Sequence, residues 1–230
     1  MPPAPTVSPT VAVVLSGCGV NDGSEIHESV SLLLNLSRHG AAVKCFAPDR
    51  PQTDVIDHAR GEPAQGESRN CMVEAARIAR GDIQPLEKLR AADFDAVFFP
   101  GGFGAAKNLC DFATRGADMK VVPEVERVLR DFTDAGKPIG MCCIAPIIAA
   151  RVIDGATITL GDPSDASRVA ESFGATHEPR PVNEICVDET NRLVTAPAYM
   201  HGDAPIHRVD EGIGKMVEKT LELASAAATA

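Results

Sequence analysis

The feature that most constrains this chain is an alternation. Short, continuously apolar runs rich in β-branched residues take turns with longer segments of helical period. "VAVVLSG" (11–17), "AAVKCFAPD" (41–49), the start of "DAVFFPGGFGAAKN" (95–108) and "PIGMCC" (138–143) are runs of the first kind. A strand that is apolar at every position is covered on both faces. Between these runs lie "SEIHESVSLLLNLSRHG" (24–40), "RNCMVEAARIARG" (69–81), "VPEVERVLRDFTDAGK" (122–137) and "IAPIIAARVI" (144–153), which read as helices. Strand and helix in regular turn build a mostly parallel sheet with helices on both faces. Weaker strands ("TIT", "EICV", "LVTA") and helices at 165–173 and about 206–225 continue the pattern without a repeat or a linker. The expectation is a single α/β domain over 11–230, preceded by a mobile arm over 1–10, where Pro, Ala, Ser and Thr leave little to bury.

Local signals place the helix ends and faces. In 24–40, Ile26, Val30, Leu33, Leu34 and Ser37 fall at helical spacing, Ser24 is the expected N-cap and Gly40 the stop. In 122–137, Val125, Val128, Leu129 and Phe132 point inward. Residues 50–68 are rich in turn formers and read as surface loop. Pro146 falls in a first helical turn, where proline is tolerated.

Composition serves mainly to exclude. A formal charge of −10 argues against a nucleic-acid or anionic-membrane partner, which would want a basic face. No apolar stretch approaches the length that spans a bilayer. "MPPAPTVSPT" lacks a basic region, an apolar core and arginine, so neither a secretory leader nor, as it stands, a transit peptide is expected. The seven cysteines show no C-x-x-C spacing, which points to free thiols in a reducing compartment. The six histidines form no H-E-x-x-H or H-x-H pattern, so no metal is expected.

Three segments can carry chemistry. "KPIGMCCIAPIIAA" (137–150) runs from a strand through paired cysteines straight into a helix. Successive strand residues point to opposite sides, so Cys142 belongs to the packed strand. Cys143 falls at the bend, where a helix N-terminus stabilises a thiolate and the N–H of Ile144 is free. The bend is also the geometry of a nucleophile elbow. The alternative is that both thiols fill the core, as small hydrophobes do. "FPGGFGAAKN" places Gly101 and Gly102 after a strand, where backbone N–H groups can approach a reacting oxygen, although such a pair is often only a turn. "SGCGVNDGSEIHES" sets Glu25 and Glu28 one turn apart at a helix start, with His27 pointing elsewhere. An acid there also suits the helix dipole. Cys18, at the carboxyl end of the first strand, is where α/β sheets bind ligands.

The motifs "SGCGVNDGSEIHE", "FAPD", "ESRN", "ARIARG", "FPGGFGAAKN", "AGKPIG", "CIAP" and "TAPAYM" together resemble the ElbB-like proteins of the ThiJ/PfpI superfamily, within the class I glutamine amidotransferase-like fold. The resemblance runs from about residue 11 to 223. It implies a flavodoxin-like three-layer α/β sandwich with Cys143 as nucleophile and Glu28 as the glutamate that tunes it. It also implies an oxyanion hole from the N–H groups of Gly102 and Ile144, and binding roles for Gly101, Glu25, Cys18 and Asn108. No His follows the nucleophile between residues 144 and 176, so the Cys–His pair of many superfamily enzymes is absent and peptidase or amidotransferase chemistry is disfavoured.

What the resemblance implies in function is a glyoxalase-like lyase without a cofactor, turning small dicarbonyls such as glyoxal and methylglyoxal into hydroxy acids. The alternative is a non-enzymatic redox sensor or stress-interaction protein using the same oxidisable thiol. A homodimer is implied too, with Phe103 and Leu109 as apolar surface candidates. The compartment would be cytoplasmic in a bacterium and mitochondrial in a eukaryote.

Overall fold

The computed structural model describes residues 8–227. Most of the expected N-terminal arm lies outside them, and its last residue is already structured: Thr10 begins β1 (Thr10–Val14), its N–H held by the Asp95 carboxylate at 2.8 Å. The chain then runs through α1 (Ile26–Arg38) to β2 (Ala42–Ala47). The turn-rich loop carries only a two-residue hairpin, β3 (Ile56–Asp57) and β4 (Glu62–Pro63), before α2 (Cys71–Ile78) and β5 (Ile83–Pro85). Next come β6 (Ala96–Phe99), the short α3 (Phe103–Lys107) and α4 (Phe112–Arg115), α5 (Pro123–Asp134) and β7 (Ile139–Cys142). The last third holds α6 (Pro146–Val152), β8 (Thr157–Ile158), α7 (Asp165–Ser172), β9 (Thr176–His177), β10 (Cys186–Asp188), β11 (Leu193–Ala196) and α8 (Ile206–Ala227).

Seven strands make the main sheet in the order β10-β11-β7-β6-β1-β2-β5. All its pairings are parallel except that of β10 with β11. The fold is therefore an α/β sandwich of the flavodoxin-like kind, as the alternation implied. Both faces are covered: Val11 and Val13 face a core with Leu32 and Leu36 of α1 and Ile213 and Val217 of α8. Ala12 and Val14 face the opposite core with Val128 and Phe132 of α5 and Ile147 and Ile148 of α6.

The chain leaves β1 in one direction toward β2 and β5, then returns to the other side of β1 for β6 and β7. That reversal opens a crevice at the carboxyl ends of β1 and β6, the usual ligand site of open α/β sheets. The loop after β1 is zipped to the turn after β6: Glu25 N–H donates to the Gly101 carbonyl (3.0 Å), Phe103 N–H to Val20 (2.7 Å) and Gly104 N–H to Gly23 (2.9 Å).

Helix α1 turns differently from the expectation. Its N-cap is Glu25, whose carboxylate accepts the Glu28 N–H at 2.6 Å. Ser24 is instead spent on Ser16, its hydroxyl accepting that residue's N–H at 2.8 Å. Ile26, Val30 and Leu34 face outward, while Glu28, Ser29, Leu32, Asn35 and Leu36 are buried. The polar positions win the inner face because they have partners there; Asn35 Nδ2 donates to Asp210 of α8 at 3.0 Å.

Candidate active site

Cys143 sits directly after β7 with φ of +58°. That left-handed conformation costs a side-chain-bearing residue on the order of 1–2 kcal/mol. It has a geometric consequence. Strand alternation would send Cys143 to the face opposite Cys142, but both end in the core beneath α1 and α8. Cys142 is fully buried and Cys143 is 8% exposed. The bend is held because Cys143 N–H donates to the Ala196 carbonyl of the neighbouring β11 (3.0 Å) and α6 starts at once with Pro146.

Glu28 stands directly against this sulfur and is fully buried. Its Oε2 accepts the Gly101 N–H (3.0 Å) and its Oε1 the Tyr199 N–H (3.1 Å). It also lies 3.9 Å from the Cys142 sulfur, so both thiols border one carboxyl. Burial, and next the negative charge of Glu25, raise the Glu28 carboxyl to about 7, against the pull of the Tyr199, Cys143 and Gly101 donors. The Cys143 thiol is also pushed up, first by burial and then by Glu28, while the N–H groups of Gly102 and Ile144 pull it down. Glu28 and Cys143 therefore titrate as a coupled pair, and burial together with the Glu28 charge disfavours ionisation of the sulfur.

The glycines are fixed by space. A Cβ on Gly101 would lie 2.4 Å from the Cys143 Cβ and 2.7 Å from Glu28 Oε2. Gly102 has φ of +92°, and a Cβ there would lie 2.4 Å from both the Glu25 nitrogen and the Gly23 carbonyl oxygen. Only glycine lets this turn press its N–H against the sulfur.

A cavity of ≈ 330 Å³ opens above this group. Its buried members are Cys143, Gly102 and Glu25, joined by the half-buried Ile144. Val20, Phe103, Tyr199 and Met200 form the more exposed wall. A larger cavity of ≈ 630 Å³ lies over the β3–β4 hairpin, lined largely by polar side chains and by neither thiol of the pair.

Six expected site residues thus come together: Cys143, Glu28, Gly101, Gly102, Ile144 and Glu25. Two do not. The Asn108 amide is spent on scaffolding, donating to Ser16 and Asp22 carbonyls (2.8 and 2.9 Å) and accepting the Thr53 N–H (3.0 Å). Cys18 lies beside Glu74, Arg77 and Asp22, outside the cavity walls. Leu109, an expected surface residue, is fully buried, whereas Phe103 is 51% exposed.

His27 does not point away. Its Nδ1 is 3.0 Å from the Tyr199 hydroxyl and 4.0 Å from Glu25 Oε1. Tyr199 follows Ala198, itself held at φ of +46°, and is brought over Cys143 because β11 pairs with β7. The only trace of this in the sequence is "TAPAYM" directly after an apolar strand. Among the described residues no group of three or more His, Cys, Asp or Glu side chains can hold a metal ion, and no helix is long and apolar enough to cross a membrane.

No family model matches the chain. It is 52% identical over 228 residues to the human glutamine amidotransferase-like class 1 domain-containing protein 3, mitochondrial, covering 95% of this chain and 85% of that protein. It is 40% identical over 230 residues to the ES1 protein, mitochondrial, of Danio rerio, covering 93% and 85%. The solved structure of an isoprenoid biosynthesis protein with amidotransferase-like domain from Ehrlichia chaffeensis matches with a TM-score of 0.86 at 36% identity, over 93% of this chain and 99% of that one. Drosophila melanogaster DJ-1beta, at 18% identity and a TM-score of 0.54 over 97% and 100%, shares the fold. The chain belongs to the family of ES1 and glutamine amidotransferase-like class 1 domain-containing proteins.

Proposed function

We propose that the protein is a cofactor-independent glyoxalase-like enzyme that converts dicarbonyls into hydroxy acids at Cys143. The observation that carries this is the buried Cys143–Glu28 pair, facing two backbone N–H donors at the floor of a cavity. The sulfur adds to one aldehyde carbon of glyoxal, and the thiol proton passes by way of Glu28, whose raised carboxyl can hold it near neutral pH, to the former carbonyl oxygen, which leaves Glu28 ionised. The product is a hemithioacetal. Glu28 then moves the carbon-bound proton to the neighbouring carbon through an enediolate, whose oxygen the N–H groups of Gly102 and Ile144 stabilise. One carbon is oxidised and its neighbour reduced, so no external redox partner enters. Water cleaves the resulting thioester and releases glycolate and the free thiol.

The same thiol read as a redox sensor has less support. Sulfenic acid forms from an accessible thiolate, and burial with Glu28 pushes the Cys143 thiol the other way.

The test is turnover of glyoxal and methylglyoxal. Wild type should form glycolate and lactate, Cys143→Ser should lose activity by roughly a hundredfold or more, and Glu28→Gln should form the thiol adduct but not isomerise it. Full turnover by Cys143→Ser would sink the reading. We further propose a homodimer. For the compartment we propose mitochondria if the chain is eukaryotic, as the names of its human and zebrafish relatives suggest, and cytoplasm if it is bacterial.

A further inference from the structure

The cavity over Cys143 is larger than the smallest dicarbonyls require. At ≈ 330 Å³ it enters the range of about 300–1,000 Å³ in which drug-sized ligands bind. Its outer wall is apolar and open to solvent: Phe103, whose ring has the Lys107 ammonium 5.8 Å from its centroid, is 51% and Val20 40% exposed, next to Met200 and Ile144. A two-carbon molecule would leave this surface in water, whereas an apolar substituent would cover it.

Charge narrows the class further. Among the lining residues the acid is Glu25, and none is Lys, Arg or His. Glu28 stands behind the sulfur, and His27 is held on the outer side of the Tyr199 hydroxyl. A carboxylate entering the cavity would meet Glu25 and no cation among the lining residues.

We infer that the site is built for uncharged 2-oxoaldehydes bearing an apolar, ring-sized substituent, seated against Phe103, Val20 and Met200, and that it excludes carboxylate-bearing carbonyls. The inference rests on the glyoxalase reading for the reacting group, but the cavity's preference can be measured without turnover.

Cys143 would be alkylated with N-benzyl iodoacetamide, iodoacetamide and iodoacetate at one pH, read by peptide mass spectrometry. Each rate is divided by that of a free cysteine derivative. The benzyl reagent should gain about tenfold over iodoacetamide, from burial of its ring. Iodoacetate should fall about tenfold below iodoacetamide, from charge. Phe103→Ala should remove most of the benzyl gain. In parallel, kcat/KM is measured for phenylglyoxal, glyoxal and 4-carboxyphenylglyoxal, with phenylglyoxal expected highest and the carboxylate-bearing compound lowest. Equal normalised alkylation rates would overturn the inference, even if glyoxal is turned over. The expected alkylation order with no turnover of any dicarbonyl would leave the inference standing and remove the glyoxalase reading.

Discussion

Glu28 is the residue on which the site turns, and its cost to the fold can be read from pH. A carboxyl raised from 4.5 to about 7 binds its proton more tightly in the folded chain than in the unfolded one. Its contribution therefore favours folding below about pH 4.5 and is withdrawn as pH rises from there through about 7. The span corresponds to about 3 kcal/mol. Glu28→Gln cannot ionise, although its amide oxygen can accept from only one of the Gly101 and Tyr199 N–H groups, which leaves the other unpaired for about 1–3 kcal/mol at every pH. Urea unfolding at pH 4.5 and pH 8 should show a wild-type fall larger than that of the variant by about 3 kcal/mol. Equal falls would mean that Glu28 ionises freely in the folded protein. At this scale the sequence was legible for Cys143, whose bend follows from a strand meeting a helix. It was misleading for His27, because helical spacing gives a direction around α1 and not the position of a tyrosine 172 residues away.

Two elements show how far local rules reach. Helix α5 buries Val125, Val128, Leu129 and Phe132, as its period predicts, because its inner face meets only apolar neighbours. Helix α1 departs from its period because its inner face must deliver Glu28 to Cys143 and meet Asp210. Strand β5 escaped the sequence reading altogether: three residues ending in proline at a sheet edge carry little strand signal. The glycine turn between β6 and α3 gives a test at this level. Gly102→Ala combines a positive φ with two backbone contacts at 2.4 Å and should cost about 2–4 kcal/mol. Gly136→Ala, at φ of +62° with nothing within 4 Å, should cost about 1 kcal/mol. The comparison is made by chemical denaturation. Equal losses would show that the turn has room to give, and that its N–H is not held against the sulfur by packing.

For the molecule as a whole, the outward face of α1 is the feature without an internal explanation. Ile26, Val30 and Leu34 repeat every four residues and are 45%, 52% and 44% exposed. An apolar stripe of this kind marks a contact surface, and the proposed homodimer gives it an occupant. Sedimentation at micromolar concentration should show a dimer, and the double variant Val30→Glu, Leu34→Glu should weaken association by roughly a hundredfold or more. A wild-type monomer would refute the dimer, and a dimer untouched by the variant would move the interface elsewhere. Both positions face away from the Cys143 core, so the variant should unfold like the wild type.

The sequence by itself determined the layered α/β sheet, since continuously apolar strands have no stable arrangement without cover on both faces. It also determined the strand-to-helix bend at Cys143, because both depend on residues within a few positions of one another. Only the tertiary structure decided which groups meet at that bend. The order β11-β7-β6-β1 brings together carboxyl ends that lie far apart along the chain, and so sets Glu28, Gly102 and Tyr199 around one sulfur. It also consumed the Asn108 amide in scaffolding and left Cys18 outside the cavity. Strand order and the partners of buried polar groups are settled by packing across the whole sheet, which no local pattern encodes.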